Sequence, residues 1–228
     1  MEEKQHIGLL FDRIAATYDG LNHGLSLSID KRWRRKVVSL MPYSSNVLDV
    51  AIGTADLTIE MLRQGKAKHV TGIDLSDGMM AIGKEKTDKL KLTEVTFVHG
   101  NAQDMPFEDA SFDAVACAFG CRNFSNLDTG LQEMYRVLKP GGQVTILEFS
   151  YPANPLIRAL YDIYFTHVLP FIGRIVSHDK TAYTYLNRSV KSFCWGDDFV
   201  QHLHKAGFLN AQFTPLSFGI ATVYISKK

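Results

Sequence analysis

The chain has 228 residues, 46% of them apolar, and a formal net charge of +1. That is enough apolar chain for the core of one domain, and the balanced charge argues against a nucleic-acid partner. Three cysteines, Cys117, Cys121 and Cys194, cannot make a full disulfide set and lack paired metal-ligand spacing; they read as thiols of a reducing compartment, with no metal expected.

In chain order, MEEKQHIGLLFDRI is acidic and mixed and is no signal peptide. Ile7, Leu10, Phe11 and Ile14 recur at helical spacing and predict a helix over 2–19. A second helix is expected over about 28–40. It carries the basic cluster KRWRRK (31–36), read as a solvated helix face, with contact to anionic lipid or phosphate as the alternative. NVLDVA (46–51) reads as a buried strand and TADLTIEMLRQG (54–65) as a helix closed by its glycine. HVTGID is a second strand, ending on Asp74, and DGMMAIGKEKTDKL a helix. TEVTFVHG and SFDAVACAF are strands three and four. NLDTGLQEMYRVLK (126–139) is an amphipathic helix stopped by PGG, and QVTILEF is strand five. Strands alternating with helices argue for a parallel sheet covered on both faces. From 151 to 195 the pattern changes to aromatic and apolar residues with little strand character, with helices broken at Pro170 and Gly173. DDFVQHLHKAGF is a last helix, and NAQFTPLSFGIATVYISK is two strands joined near Ser217–Gly219. No stretch has the length of charge-free apolar residues that spans a bilayer.

The turn after the first strand, NVLDVAIGTADL (46–57), is where an open parallel sheet binds its ligand. Only one glycine, Gly53, stands in it, and Asp49 and Asp56 are close by. Asp74 closes the second strand about twenty residues on, where a carboxylate accepts both ribose hydroxyls, so an adenosine-type ligand is expected. A dinucleotide pyrophosphate needs the three-glycine fingerprint and is repelled by Asp56. S-adenosylmethionine has no phosphate, and its sulfonium and ammonium groups favour neighbouring carboxylates.

LDVAIGTADL, GIDLS, GNAQDMPFEDASFDAV and YRVLKPGG follow the motif order of class I S-adenosylmethionine methyltransferases, which the chain resembles. FDRIAATYDGLNHGLSL, FGCRNF, and the region from LYDIYFTHVLPFIGRIV through AYTYLNRSV narrow the resemblance to the quinone-biosynthesis C-methyltransferases, nearly end to end. The resemblance implies a single Rossmann-like α/β domain over 1–228: a mostly parallel seven-stranded sheet, helices on both faces and a C-terminal antiparallel hairpin. A helical cap over 1–42 and a helical substrate-lid insertion over 151–195 complete it. It also implies that Gly53 and Thr54, near Asp49, lie against the methionine part of the cofactor, that Asp74 holds the ribose, that Asn101 and Ala102 meet the adenine edge, and that Tyr18 closes over the cofactor. Two positions depart from the family pattern: Ala118 stands where some members carry a cofactor-touching serine, and Cys121 where an aliphatic residue is usual.

The implied reaction moves a methyl group to a ring carbon of demethylmenaquinol, or to the polyprenyl benzoquinol precursor of ubiquinone. A neutral ring carbon is a poor nucleophile. A hydroquinol that loses a hydroxyl proton pushes charge into the ring, so the reduced form is the expected substrate. Arg122 is the candidate cation for the developing phenolate, with a structural salt bridge as its alternative role, and Asn123 positions the same oxygen. Tyr161, Phe165, His178 and Tyr183 are expected to meet the substrate, and Leu156, Leu160, Tyr164, Val168 and Phe171 to line an apolar groove for its tail or to cover the sheet. A cytoplasmic protein in transient contact with the inner face of the cell membrane is expected, and the sequence leaves the oligomeric state, a homodimer included, open. A methyltransferase of another apolar small molecule, a non-catalytic cofactor-binding subunit and a nicotinamide dehydrogenase are the rival readings.

Overall fold

The computed structural model describes residues 28–164 and 180–228 together with 8, 9, 11–13, 15, 26 and 166, excepting the side chains of 180–184 and 186. The described residues 8, 9, 11–13 and 15 are helical; the numbered elements then begin with α1 (Ile29–Leu40), followed by β1 (Ser44–Val50), α2 (Asp56–Arg63), β2 (Ala67–Asp74), α3 (Asp77–Lys89), β3 (Val95–His99) and β4 (Phe112–Ala118). After a 3-10 turn at Cys121–Asn123 come α4 (Leu127–Val137), β5 (Leu138–Phe149), α5 (Pro155–Ile163), α6 (Lys180–Ser192), α7 (Asp197–Lys205), β6 (Leu209–Leu216) and β7 (Ala221–Lys227).

The seven strands form one sheet in the order β3-β2-β1-β4-β5-β7-β6. The first five are parallel, and β7 runs antiparallel to both β5 and β6. Strand order reverses between β1 and β4, which puts the ligand crevice at the carboxyl ends of those two strands. The central strands are apolar on both faces because both faces are covered. In β4, Val115 and Cys117 join the core packed on α4 and α7, while Ala114 and Ala116 join the one packed on α1 and α2.

Two expectations are corrected here. Helix α4 stops at Val137, not Lys139: Leu138 already pairs with Phe112, and the PGG segment is an irregularity inside β5 before pairing resumes at Gln143. Gly141 takes a positive φ of 78° there, and its N–H donates to the Lys228 carbonyl at 2.9 Å. The basic cluster is also no uniform solvated face. Lys31, Arg32, Arg35 and Lys36 are exposed, but Trp33 and Arg34 are buried. They fall on the same stripe of α1 as Val37 and Val38, and that stripe packs on the sheet.

Candidate active site

A cleft of about 690 Å3 lies at the switch point. Its walls come from the ends of four neighbouring strands: Ala51 and Gly53 after β1, Asp74 to Met79 after β2, Gly100 to Gln103 after β3, and Ala118 to Gly120 with Asn123 and Phe124 after β4. Gly8 and Phe11 of the N-terminal segment cover it. That segment is tied down by Asp12, whose Oδ1 accepts the Ser76 hydroxyl at 2.5 Å and the Gly78 N–H at 2.9 Å.

The β1–α2 loop shows how one glycine suffices. Ala51, Gly53 and Ala55 take φ values of 57°, 52° and 63°, so two alanines adopt the left-handed backbone that glycine usually supplies. Asp74 holds the loop in place: its Oδ2 accepts the Gly53 N–H at 2.8 Å and its Oδ1 the Ser76 N–H at 3.0 Å. Burial pushes its pKa up, the Ser76 and Gly53 N–H groups pull it back, and the Asp12 charge adds a smaller upward push. Each oxygen keeps further acceptor capacity toward the cleft. Gly120 allows the close approach on the opposite wall, since a Cβ there would sit 2.7 Å from both the Ala51 Cβ and the Cys117 Sγ.

A recess of about 330 Å3 adjoins the cleft through Ala51, Gly53, Met79 and Ala118, and adds Arg34, Asp49, Thr54 and Asp56. Arg34 pairs with Asp30 and stands 3.7 Å from Asp56, which also pairs with Lys86. Asp49 is 1% exposed and accepts the Thr58 hydroxyl at 2.6 Å. Burial pushes its pKa up to about 7, against the pull of the Thr58 hydrogen bond and Arg34. The folded protein therefore keeps a proton that the unfolded chain loses near 3.8. The Asp49 contribution turns against folding as pH rises from about 4 to 7 and is fully unfavourable above that. Asp49→Asn is expected to stabilise the ligand-free protein by a margin that widens between about pH 5 and pH 8 and reaches on the order of 4 kcal/mol, seen as a higher melting temperature. Parallel melting curves for the two proteins across that range would refute a neutral, buried Asp49.

Phe119 of the cleft wall belongs to a buried aromatic cluster. Phe119 and Phe149 stack at 4.5 Å, and Trp33 lies 6.2 Å from each. The Arg34 guanidinium sits over the Phe119 ring at 5.4 Å and that of Arg122 over Phe149 at 5.2 Å. Asn123 lines the cleft, its Nδ2 donates to the Phe119 carbonyl at 3.3 Å, and its Oδ1 accepts the Tyr185 hydroxyl from α6 at 2.8 Å. Burial raises the Tyr185 pKa, and the Arg122 charge opposes it.

Of the sequence-predicted residues, the structure brings Gly53, Asp74, Asn101, Ala102 and Asn123 to one cleft and puts Asp49 and Thr54 in its side recess. The Asn101 side-chain oxygen accepts the Gln103 N–H at 3.0 Å, so its first task is to fold its own loop. Arg122 lies behind the cleft, its side chain 4% exposed. It donates to Glu148 Oε1 at 2.8 Å and to the Phe119 carbonyl at 2.5 Å. That is the structural salt bridge, with its charge one layer from the cleft. Tyr161 is 4% exposed and packs edge-on to Tyr151 at 5.7 Å, and it is not among the residues lining the cleft. Leu156 and Leu160 are 71% and 58% exposed. Tyr18, Phe165, His178, Val168 and Phe171 and the side chain of Tyr183 lie outside the described residues.

Sequence reasoning missed Arg34, Phe119, Glu148 and Tyr185. Two left a signal: Arg34 follows Asp30 by four residues on the apolar stripe of α1, and Glu148 is a lone acid in an apolar strand. For Tyr185 only its motif neighbour Tyr183 was singled out.

A family model described as the ubiE/COQ5 methyltransferase family matches residues 1–228. A demethylmenaquinone methyltransferase of Bacteroides fragilis is 40% identical, with 100% of this chain and 94% of the relative covered. A ubiquinone/menaquinone biosynthesis C-methyltransferase UbiE of Geotalea daltonii is 44% identical, with coverage of 100% and 98%. Among solved structures, a methyltransferase of Thermotoga maritima described as S-adenosylmethionine-dependent, a possible histamine N-methyltransferase, superposes with a TM-score of 0.69 at 19% identity, covering 98% of this chain and 100% of that one. The [4+2]-cyclase SpnF superposes at 0.74 and 17% identity, with coverage of 99% and 96%. At those identities the likeness is one of fold.

Proposed function

The chain belongs to the ubiE/COQ5 methyltransferase family, and from that premise we propose that it transfers the methyl group of S-adenosylmethionine to a ring carbon of demethylmenaquinol, giving menaquinol. The cleft fits that cofactor. Asp74 lines it and retains acceptor capacity for two hydroxyls, and Asp49 and Asp56 line the adjoining recess, where a phosphate would be disfavoured. Asp74 would hold the ribose, and Leu75 and Ala102 the adenine. The recess with Arg34, Asp49 and Asp56 would hold the charged amino-acid end. When bound, S-adenosylmethionine supplies a methyl carbon on a cationic sulfur whose departure is neutral, so the protein stabilises no leaving anion.

The observation that carries the acceptor side is the placement of Asn123. One side chain lines the cofactor cleft and bonds Tyr185 of the helix that follows the lid region. Asn123 and Tyr185 orient a quinol hydroxyl there, and the Arg122 charge lowers the cost of phenolate character on its oxygen. Phe119 and Phe149 pack an aromatic ring and exclude water, and alignment supplies much of the rate.

The test is transfer of labelled methyl to demethylmenaquinol and to the benzoquinol precursor, each supplied reduced and oxidised. Product from the reduced naphthoquinol and none from either oxidised quinone is expected. Product from the reduced benzoquinol as well is the second reading, favoured by the Geotalea relative named for both pathways. No product from any quinol, with cofactor binding intact, removes the assignment.

A further inference from the structure

A second concavity, of about 700 Å3, shares no lining residue with the cofactor cleft. Its walls are Tyr151 and Ile157 at the start of the lid, Trp195 ahead of α7, Phe213 and Pro215 of β6, and Phe218 in the turn between β6 and β7. No side chain lining it carries a charge at neutral pH. Phe218 is 80% exposed and Trp195 37%, so two large apolar side chains stand at its rim facing water.

The turn that presents Phe218 is strained. Ser217 and Phe218 adopt φ values of 46° and 60°, and Gly219 follows at 88°. Left-handed backbone is costly for a side chain as bulky as phenylalanine, and such residues gather at ligand clamps. The turn is also tied to the chemistry: the Ser217 hydroxyl accepts the Trp33 indole N–H at 2.8 Å, and Trp33 packs on Phe119, which lines the cofactor cleft. On the other side Tyr151 stands two residues beyond Phe149, the ring stacked on Phe119. The groove and the cleft share no lining residue, and the Trp33–Phe119–Phe149 cluster joins their walls.

We propose that this groove holds the isoprenoid tail of the acceptor, with Phe218 and Trp195 closing on it; this rests on the quinol reading above for the identity of the substrate. An isoprenoid chain is neutral, apolar and branched. It asks for apolar walls with no charged group, which the groove supplies, and for a nearby ring site, to which the groove is joined through Trp33 and Phe149. The tail then leaves along the β6–β7 turn and not along the exposed Leu156 and Leu160 of α5.

The first arm of the test uses geranylgeraniol alone, below its aggregation limit, read by tryptophan fluorescence. The chain has two tryptophans, Trp33 and Trp195. Saturable quenching is expected that survives in Trp33→Phe and disappears in Trp195→Phe. Phe218→Asp and, on the opposite wall, Ile157→Asp are each expected to weaken it at least tenfold, with S-adenosylhomocysteine binding retained as the check on folding. The second arm compares kcat/KM for a long-tailed and a tail-less demethylmenaquinol; the ratio is expected to fall at least tenfold in Phe218→Asp and in Ile157→Asp. No saturable quenching, or an unchanged ratio in both wall variants, overturns the proposal. So does partition into phosphatidylcholine vesicles without saturable binding, which would make the patch a membrane-facing surface. Saturable binding of the alcohol with no quinol methylated leaves the groove standing and removes the quinol reading instead.

Discussion

Glu148→Ala is expected to destabilise the protein by about 3–5 kcal/mol, the range for removing one partner of a buried ion pair. Glu148 is fully buried. Its carboxylate accepts the Arg122 guanidinium at 2.8 Å, the Arg122 backbone N–H at 3.2 Å and the Phe149 N–H at 2.9 Å. Truncation leaves a cation beneath the Phe149 ring with its carboxylate gone, and two backbone donors without their acceptor. A loss of that size lowers the melting temperature by roughly 10 °C in a chain of this length. Replacing both partners by apolar residues, Arg122→Met with Glu148→Leu, is expected to recover most of the loss, because the desolvation cost of both charges goes with them. The double variant also separates the two roles of Arg122. If its charge assists the quinol oxygen, the double variant melts near wild type and its kcat stays at least tenfold down. Recovery of kcat together with stability would make Arg122 purely structural.

That pair also marks how far the sequence could be read. The sheet was legible because each central strand is a short apolar run between turn residues, and burial on both faces requires such runs. The cofactor loop was legible because Asp49, Gly53 and Asp74 carry position-specific chemistry. What stayed hidden depends on which way a side chain turns. Arg34 sits in a run of cations that reads as a solvated face, yet the stripe of Trp33, Val37 and Val38 turns it into the recess beside Asp49. Arg122 was identified as a cation near the reaction, but its partner is twenty-six residues away on the neighbouring strand, where local pattern carries no information. Between 151 and 195, apolar content alone cannot tell buried Tyr161 from exposed Leu160 one position before it. The PGG segment was read as a turn because proline and glycine usually break pairing; here β5 resumes beyond it and carries the irregularity.

Asp74 supports the largest expected loss of cofactor affinity. Both of its oxygens are already committed to backbone donors, Gly53 on one and Ser76 on the other. Asp74→Ala removes the acceptors a ribose would use and frees the glycine loop at the same time. Hydrogen bonds to a charged group are each worth about 1.5–3 kcal/mol. Loss of two corresponds to roughly a 10²–10⁴-fold drop in affinity for S-adenosylhomocysteine, measurable by calorimetry. Asp74→Asn is the sharper experiment. Its amide has one acceptor and one donor end, so whichever way it turns, an NH2 group must face either the Gly53 or the Ser76 N–H. The isosteric change is therefore expected to cost nearly as much as truncation, whereas a carboxylate that only touched the ribose would tolerate it, since an amide also pairs with hydroxyls. Asparagine binding within threefold of wild type would mean that the loop is held by other contacts and that Asp74 acts on the ligand alone.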